Sequence, residues 1–235
     1  VNLDHVMHIA IEEIAKSTDE APIPEQHQVN EEREISDDWL NAFEKEACQK
    51  SSDKMRLLFG KILAGEIQKP STYSIRTLRL LSQLDNQAAT LFHRLCSLSI
   101  SQQIDGEVID ARVVSFSGSA AQNSLQKYGL GFGALNLLEE YGLIISDYNS
   151  YMDYRATIAK SRNVQLPLTY NGSVFGLVRE NETMSTQELK INGVSFSSSG
   201  KELLNIVDVT EDNSYFEELK SFFKRKKMNL VKISM

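Results

Sequence analysis

The sequence is poor in the residues that staple or interrupt chains. Two cysteines, Cys48 and Cys96, cannot build a disulfide framework, which points to a reducing compartment. Four prolines and twelve glycines in 235 residues exclude collagen-like and low-complexity chains. No apolar run approaches the ~20 residues that span a bilayer, so no membrane partner is expected. The segment after Val1 carries Asp4, His5 and Glu12, so it is not read as a signal peptide. Neither a Walker phosphate loop nor a G-x-S-x-G elbow occurs. What is present is an ordinary globular composition: 41% hydrophobic and 24% charged, with a net charge of −7.

That net charge is unevenly placed. Residues 12–53 hold 13 acids and 4 bases, whereas residues 54–100 hold 7 bases and 2 acids. An acidic stretch therefore precedes a basic one, an asymmetry that bears on partners.

Leu3, Val6, Met7, Ala10, Ile11 and Ile14 recur at helical spacing. With no cap before Val1, residues 1–16 read as the end of a longer helix, and its apolar stripe as a dimer or coiled-coil contact. Residues 17–34, with two prolines and many charges, read as an acidic linker. Residues 35–100 then predict an antiparallel helical bundle. Ser36 or Asp37 caps a helix through Trp39, Phe43 and Ala47, and Ser51 to Asp53 cap one through Phe59, Ile62 and Leu63. Pro70 ends that second helix. Ser71 or Thr72 starts a third helix, and Asp85 caps a fourth.

From residue 101 the pattern turns to strands. Val108 to Phe116, Leu143 to Ile145, 164–170, 174–178, 188–196 and the closing MNLVKIS are strand candidates. Asn171-Gly172 signals a two-residue hairpin. Helices are expected at 119–128, 132–141, from Ser198 or Ser199 through Ile206, and at 213–226. The fold class is thus α+β: an N-terminal antiparallel helical bundle followed by a winged-helix-like unit, residues 101–235, with extra strands inserted between Gly142 and Gly200.

The stretch from Trp39 to Leu95, with D-D-W-L-N-A-F, L-F-G-K-I-L-A-G-E-I and K-P-S-T-Y-S-I-R-T-L, resembles a bacterial family known as domain of unknown function 2806. It is similar, more distantly, to the abortive-infection alpha (Abi-alpha) family. Phe59 stands where that pattern usually has Trp, and Ser71 where Gly usually follows the Pro. The tail S-S-S-G-K-E-L-L-N-I-V extends the resemblance over most of the chain. The Abi-alpha likeness implies a link with anti-phage defence and imports no reaction.

Several patterns invite a chemical reading. His5, His8 and Glu12 share a helix face but lack a further ligand in reach. His93 and Cys96 form a single H-x-x-C pair where zinc needs two. Glu188-Leu189-Lys190, with Asp147 or Asp153 upstream, imitates half of a nuclease site. G-L-G-F-G at Gly129 to Gly133 follows a helix and reads as a turn, not a dinucleotide loop. No catalytic residue, metal or cofactor is assigned. The remaining candidates are basic. Arg76 either pairs with Glu66 or the acidic segment before it, or presents a cationic face together with Arg79. Lys224, Arg225, Lys226 and Lys227 either complement a helix C-terminus or touch nucleic acid. The candidate recognition helix, 132–141, carries Glu139 and Glu140 and no base, which argues against duplex reading. The expectation is a non-enzymatic cytoplasmic interaction protein, with a protein partner or homo-oligomer favoured and nucleic acid as the alternative.

Overall fold

The computed structural model describes residues 2–19, 34–116, 123–145, 150–160, 163–180 and 188–233. The chain divides into two compact units, Val1–Leu84 and Asp85–Met235.

The first unit holds α1 (Asn2–Asp19), α2 (Asp37–Cys48), α3 (Asp53–Gln68) and α4 (Ile75–Gln83). Three of its helices, α2 to α4, begin where short polar side chains satisfy otherwise unpaired amides. The hydroxyls of Ser36, Ser52 and Ser74 accept from the amides of Trp39, Met55 and Thr77. α3 buries Phe59, Gly60, Ile62, Leu63, Ala64 and Glu66. Gly60 admits α1: a Cβ there would lie 2.4 Å from Ile9 Cγ2. α1 and α3 run in the same direction, since Asn2 bonds Arg56 at one end and Gln68 bonds Ser17 at the other.

The sequence reading needs three corrections in this unit. α1 extends through residues 17–19, and the rest of the predicted acidic linker, 20–33, lies outside the described residues. The apolar stripe of α1 is split: Val6 and Ala10 are buried, while Met7 and Ile11 face outward. The helix expected from Ser71 or Thr72 starts only at Ile75. The reason is the turn before it, in which Ser71 takes φ +71°, a left-handed conformation that a helix cannot contain.

That turn is built by residues of the D-D-W-L-N-A-F and L-F-G-K-I-L-A-G-E-I segments. The buried Glu66 carboxylate accepts the amides of Ser71 (2.6 Å) and Tyr73 (2.9 Å). The Trp39 indole donates to the Tyr73 carbonyl (2.6 Å), and Tyr73 packs on Gly65, where a Cβ would meet its ring at 2.8 Å. Glycine would occupy position 71 without strain. These motif residues therefore form one structural joint.

The second unit contains α5 (Asn86–Ser97), α6 (Phe132–Glu140), α7 (Ser198–Leu204) and α8 (Asn213–Arg225) around one antiparallel sheet. Its strands are β1 (Ile100–Ile104), β2 (Glu107–Val114), β3 (Ile144–Ile145), β4 (Tyr151–Asp153), β5 (Leu168–Tyr170), β6 (Ser173–Arg179), β7 (Lys190–Phe196) and β8 (Met228–Lys232). The order is β3-β7-β2-β1-β5-β6-β8, with β4 also paired to β7. α5, grouped with the helices by its sequence pattern, clusters with this sheet unit.

Two hairpins turn on paired left-handed residues, Asp105-Gly106 (φ +50° and +78°) and Asn171-Gly172 (φ +45° and +71°). Both match the twist of the flanking strands. Helices pack against both faces of the sheet. Tyr170 stacks on Phe216 of α8, and Phe175 meets the same ring at a tilt. On the other face Phe196 meets Phe92 of α5.

Of the helix expected at 119–128, residues 119–122 lie outside the described residues and 126–128 form one 3-10 turn. α7 starts at Ser198, one of the two starts read from sequence, and Ser197 caps it.

Candidate functional site

The two basic clusters fall in different units. Arg76 and Arg79 stand exposed on α4. Arg76 does not pair with Glu66, because that carboxylate is turned inward onto the Ser71 and Tyr73 amides. Lys224, Arg225, Lys226 and Lys227 are all exposed where α8 passes into β8. The Lys226 ammonium sits 5.1 Å from the centroid of the half-buried Phe222 ring. Lys227 takes φ +57°, the left-handed residue that closes the helix, and its carbonyl accepts the Glu180 amide.

The patterns that invited a catalytic reading are held in structural roles. His8 pairs with Glu12 at 3.2 Å, both exposed. His93 Nε2 contacts the Asp208 carbonyl at 2.8 Å, while Cys96 is buried and its thiol pushed well up by desolvation. Glu188 pairs with Lys190, whose ammonium lies 4.2 Å from the Tyr151 ring centroid. Asp153 accepts the Arg155 and Leu189 amides and pairs with the Arg155 guanidinium. Asp147 lies outside the described residues. Gly129 closes the 3-10 turn at φ +84° and Gly131 caps α6, so G-L-G is a turn between two helical segments and Phe132 and Gly133 begin α6. No cluster of three metal-ligating side chains occurs among the described residues.

A buried polar cluster on β2 has no counterpart in the sequence reading. Asp110 and Arg112, two apart on β2, point to one face and are both buried. Arg112 Nε and Nη2 each donate to Asp110 at 2.7 Å, and its Nη1 donates to the Ile191 carbonyl at 2.8 Å. The Tyr154 hydroxyl donates to the same carboxylate at 2.7 Å. Gln102, directly opposite Asp110 on β1, donates to the Thr157 hydroxyl, which donates to the Leu166 carbonyl. Burial opposes the charge on Arg112, but Asp110 outweighs it and holds the guanidinium above its ordinary value. Burial pushes the Tyr154 hydroxyl well up. With donors and acceptors matched inside, the cluster fixes β2 against β7 and the segment at Tyr154.

A second junction ties α5 to α8. Asp212 caps α8 by accepting from the Tyr215 amide (2.9 Å) and the Ser214 hydroxyl (2.7 Å), and it pairs with Arg94 (2.7 Å). Burial alone would raise its pKa, but these three donors hold it at about 2, against 3.8 ordinarily. A folded value below the unfolded one means the stabilisation is complete above about pH 4 and is lost as pH falls toward 2. Asp212→Asn is expected to cost about 2 kcal/mol near neutrality and to flatten the acid limb of stability between about pH 4 and 2. Urea denaturation at a series of pH values checks this, and an unchanged acid limb would refute it.

A family model matches residues 1–220. The chain belongs to the DUF2806 family. Its description is "Protein of unknown function", so membership carries no reaction. The matched residues include the joint at Trp39, Glu66 and Ser71 and the Asp110–Arg112 cluster, while Lys224 to Lys227 follow the match. No curated protein and no solved structure matches the chain. No helix among the described residues is long and apolar enough to cross a membrane.

Proposed function

We propose that this DUF2806 member is a non-enzymatic interaction protein of the bacterial cytoplasm whose sheet unit is winged-helix-like. The order β3-β7-β2 supports that topology: α5 precedes β2, a 3-10 turn and α6 lie between β2 and β3, and β4 to β6 are inserted where the wing would be. In such a unit α6 takes the recognition position. The observation that carries the reading is its outward surface, which consists of Phe132, Gly133, Asn136, Glu139 and Glu140. An apolar and acidic face suits a protein surface and repels phosphate. Met7 and Ile11 on α1 support a second contact, with another copy or a partner. The likeness to the Abi-alpha family supports a place in anti-phage defence.

A photo-crosslinking residue at Asn136, introduced in the native host, is expected to capture a protein, and Glu139→Lys with Glu140→Lys to abolish the adduct. Nucleic-acid adducts, or no adduct, would overturn the reading. So would turnover of nucleotides by the purified chain.

A further inference from the structure

We propose that the turn joining α8 to β8 is a contact site for the phosphate backbone of nucleic acid, separate from the α6 face. Lys224, Arg225, Lys226 and Lys227 are consecutive and exposed. Successive helical residues are rotated by about 100°, so the first three fan around the end of α8. The fourth is carried round the corner by the left-handed conformation of Lys227. Glycine is usual at that position, and a β-carbon there is mildly strained. The chain thus keeps a cation where backbone geometry favours none.

The neighbouring acids leave most of this charge uncompensated. Glu217 pairs with Lys220, and Glu218 with Lys127 and the Tyr128 hydroxyl. Arg225 lies close enough to Glu218 to help depress its pKa. Glu180 is exposed beside the turn, engaged through its amide with the Lys227 carbonyl.

A helix C-terminus attracts cations for its own stability, but that effect fades within the last turn. Lys227 lies past it. A membrane surface fits less well. Phe222 is half-buried under Lys226, and the exposed Val231 and Val178 lie on the sheet face opposite the one α8 covers. The turn therefore offers charge without an apolar wedge, which suits phosphates.

The test is binding of the full chain to a short labelled DNA duplex by fluorescence anisotropy across a salt series. Neutralising four phosphates predicts that log Kobs falls against log salt with a slope of about −3 to −4. Lys224→Gln, Arg225→Gln, Lys226→Gln and Lys227→Gln together should weaken low-salt binding more than about tenfold and bring the slope near zero. Lys227→Gly removes one cation while relieving the backbone. It should reduce the slope by about one with an unchanged or higher melting temperature, which a structural role for the charge would not produce. No duplex binding at low salt, or an unchanged slope in these variants, overturns the proposal. So does cosedimentation with phosphatidylserine vesicles in the absence of duplex binding, which would assign the turn to a membrane.

Discussion

Arg112→Ala is expected to destabilise the sheet unit by about 3–5 kcal/mol. The loss comes less from the ion pair itself than from what is left behind. Asp110, 6% exposed, would be left with only the Tyr154 hydroxyl donating to it, and the Ile191 carbonyl would lose the guanidinium. Hydrogen exchange across residues 100–114 reads the effect where it arises. Amides of β1 and β2 should open at correspondingly lower free energy. Tyr154→Phe, which removes one donor and leaves the pair intact, should cost only about 1–2 kcal/mol. Replacing both partners, Asp110→Leu with Arg112→Met, should recover much of the single-variant loss, because no charge is then stranded. A loss below about 1 kcal/mol for Arg112→Ala, outside the 3–5 kcal/mol range, would mean that water reaches Asp110 and the cluster is not dry.

How far sequence carried this fold follows from where the determining interactions lie. Helix starts at Ser36, Ser52 and Asp85 were legible because capping is local, with donor and acceptor within three residues. Asn171-Gly172 was legible for the same reason. Asp105-Gly106 carries an equal signal, but the strand before it reads I-S-Q-Q-I. Ser101 and Gln102 in it are buried by tertiary pairing, such as Gln102 with Thr157. Ser71 misled the helix start because its conformation is imposed by Glu66, five residues back. The same contact removed the expected partner of Arg76.

The candidate site was legible in part. Four adjacent cations between two elements are visible in any sequence, and here they stand exposed on the turn. The buried pair was missed although V-I-D-A-R-V-V shows two opposite charges two apart in an otherwise apolar strand. That spacing puts both on one face, and burial of the strand forces them together.

Gly200→Ala is expected to cost about 3 kcal/mol or more, at the upper end for overpacking. A Cβ on Gly200 would lie 2.1 Å from the Leu143 carbonyl oxygen, and the obstacle is backbone, which no rotamer change can clear. The first turn of α7 is bonded there. The Ser197 amide donates to the Leu143 carbonyl at 3.0 Å and its hydroxyl to the Gly142 carbonyl at 2.6 Å, while the Gly200 amide donates to the Ser197 hydroxyl at 3.0 Å. Relieving the clash requires α7 to retreat by about 1 Å, which breaks these bonds and the packing of Leu143 at once. The melting temperature should fall by roughly 6–12 °C. Gly133 is the matched control. It is also helical, in α6, yet a Cβ added there would have nothing within 4 Å, and the residue is exposed. Gly133→Ala should therefore raise stability by up to about 1 kcal/mol through helix propensity alone. Opposite signs for one substitution at two helical glycines would show that contact with Leu143, and not helix propensity, requires glycine in S-S-S-G-K-E-L. Equal effects would remove that explanation.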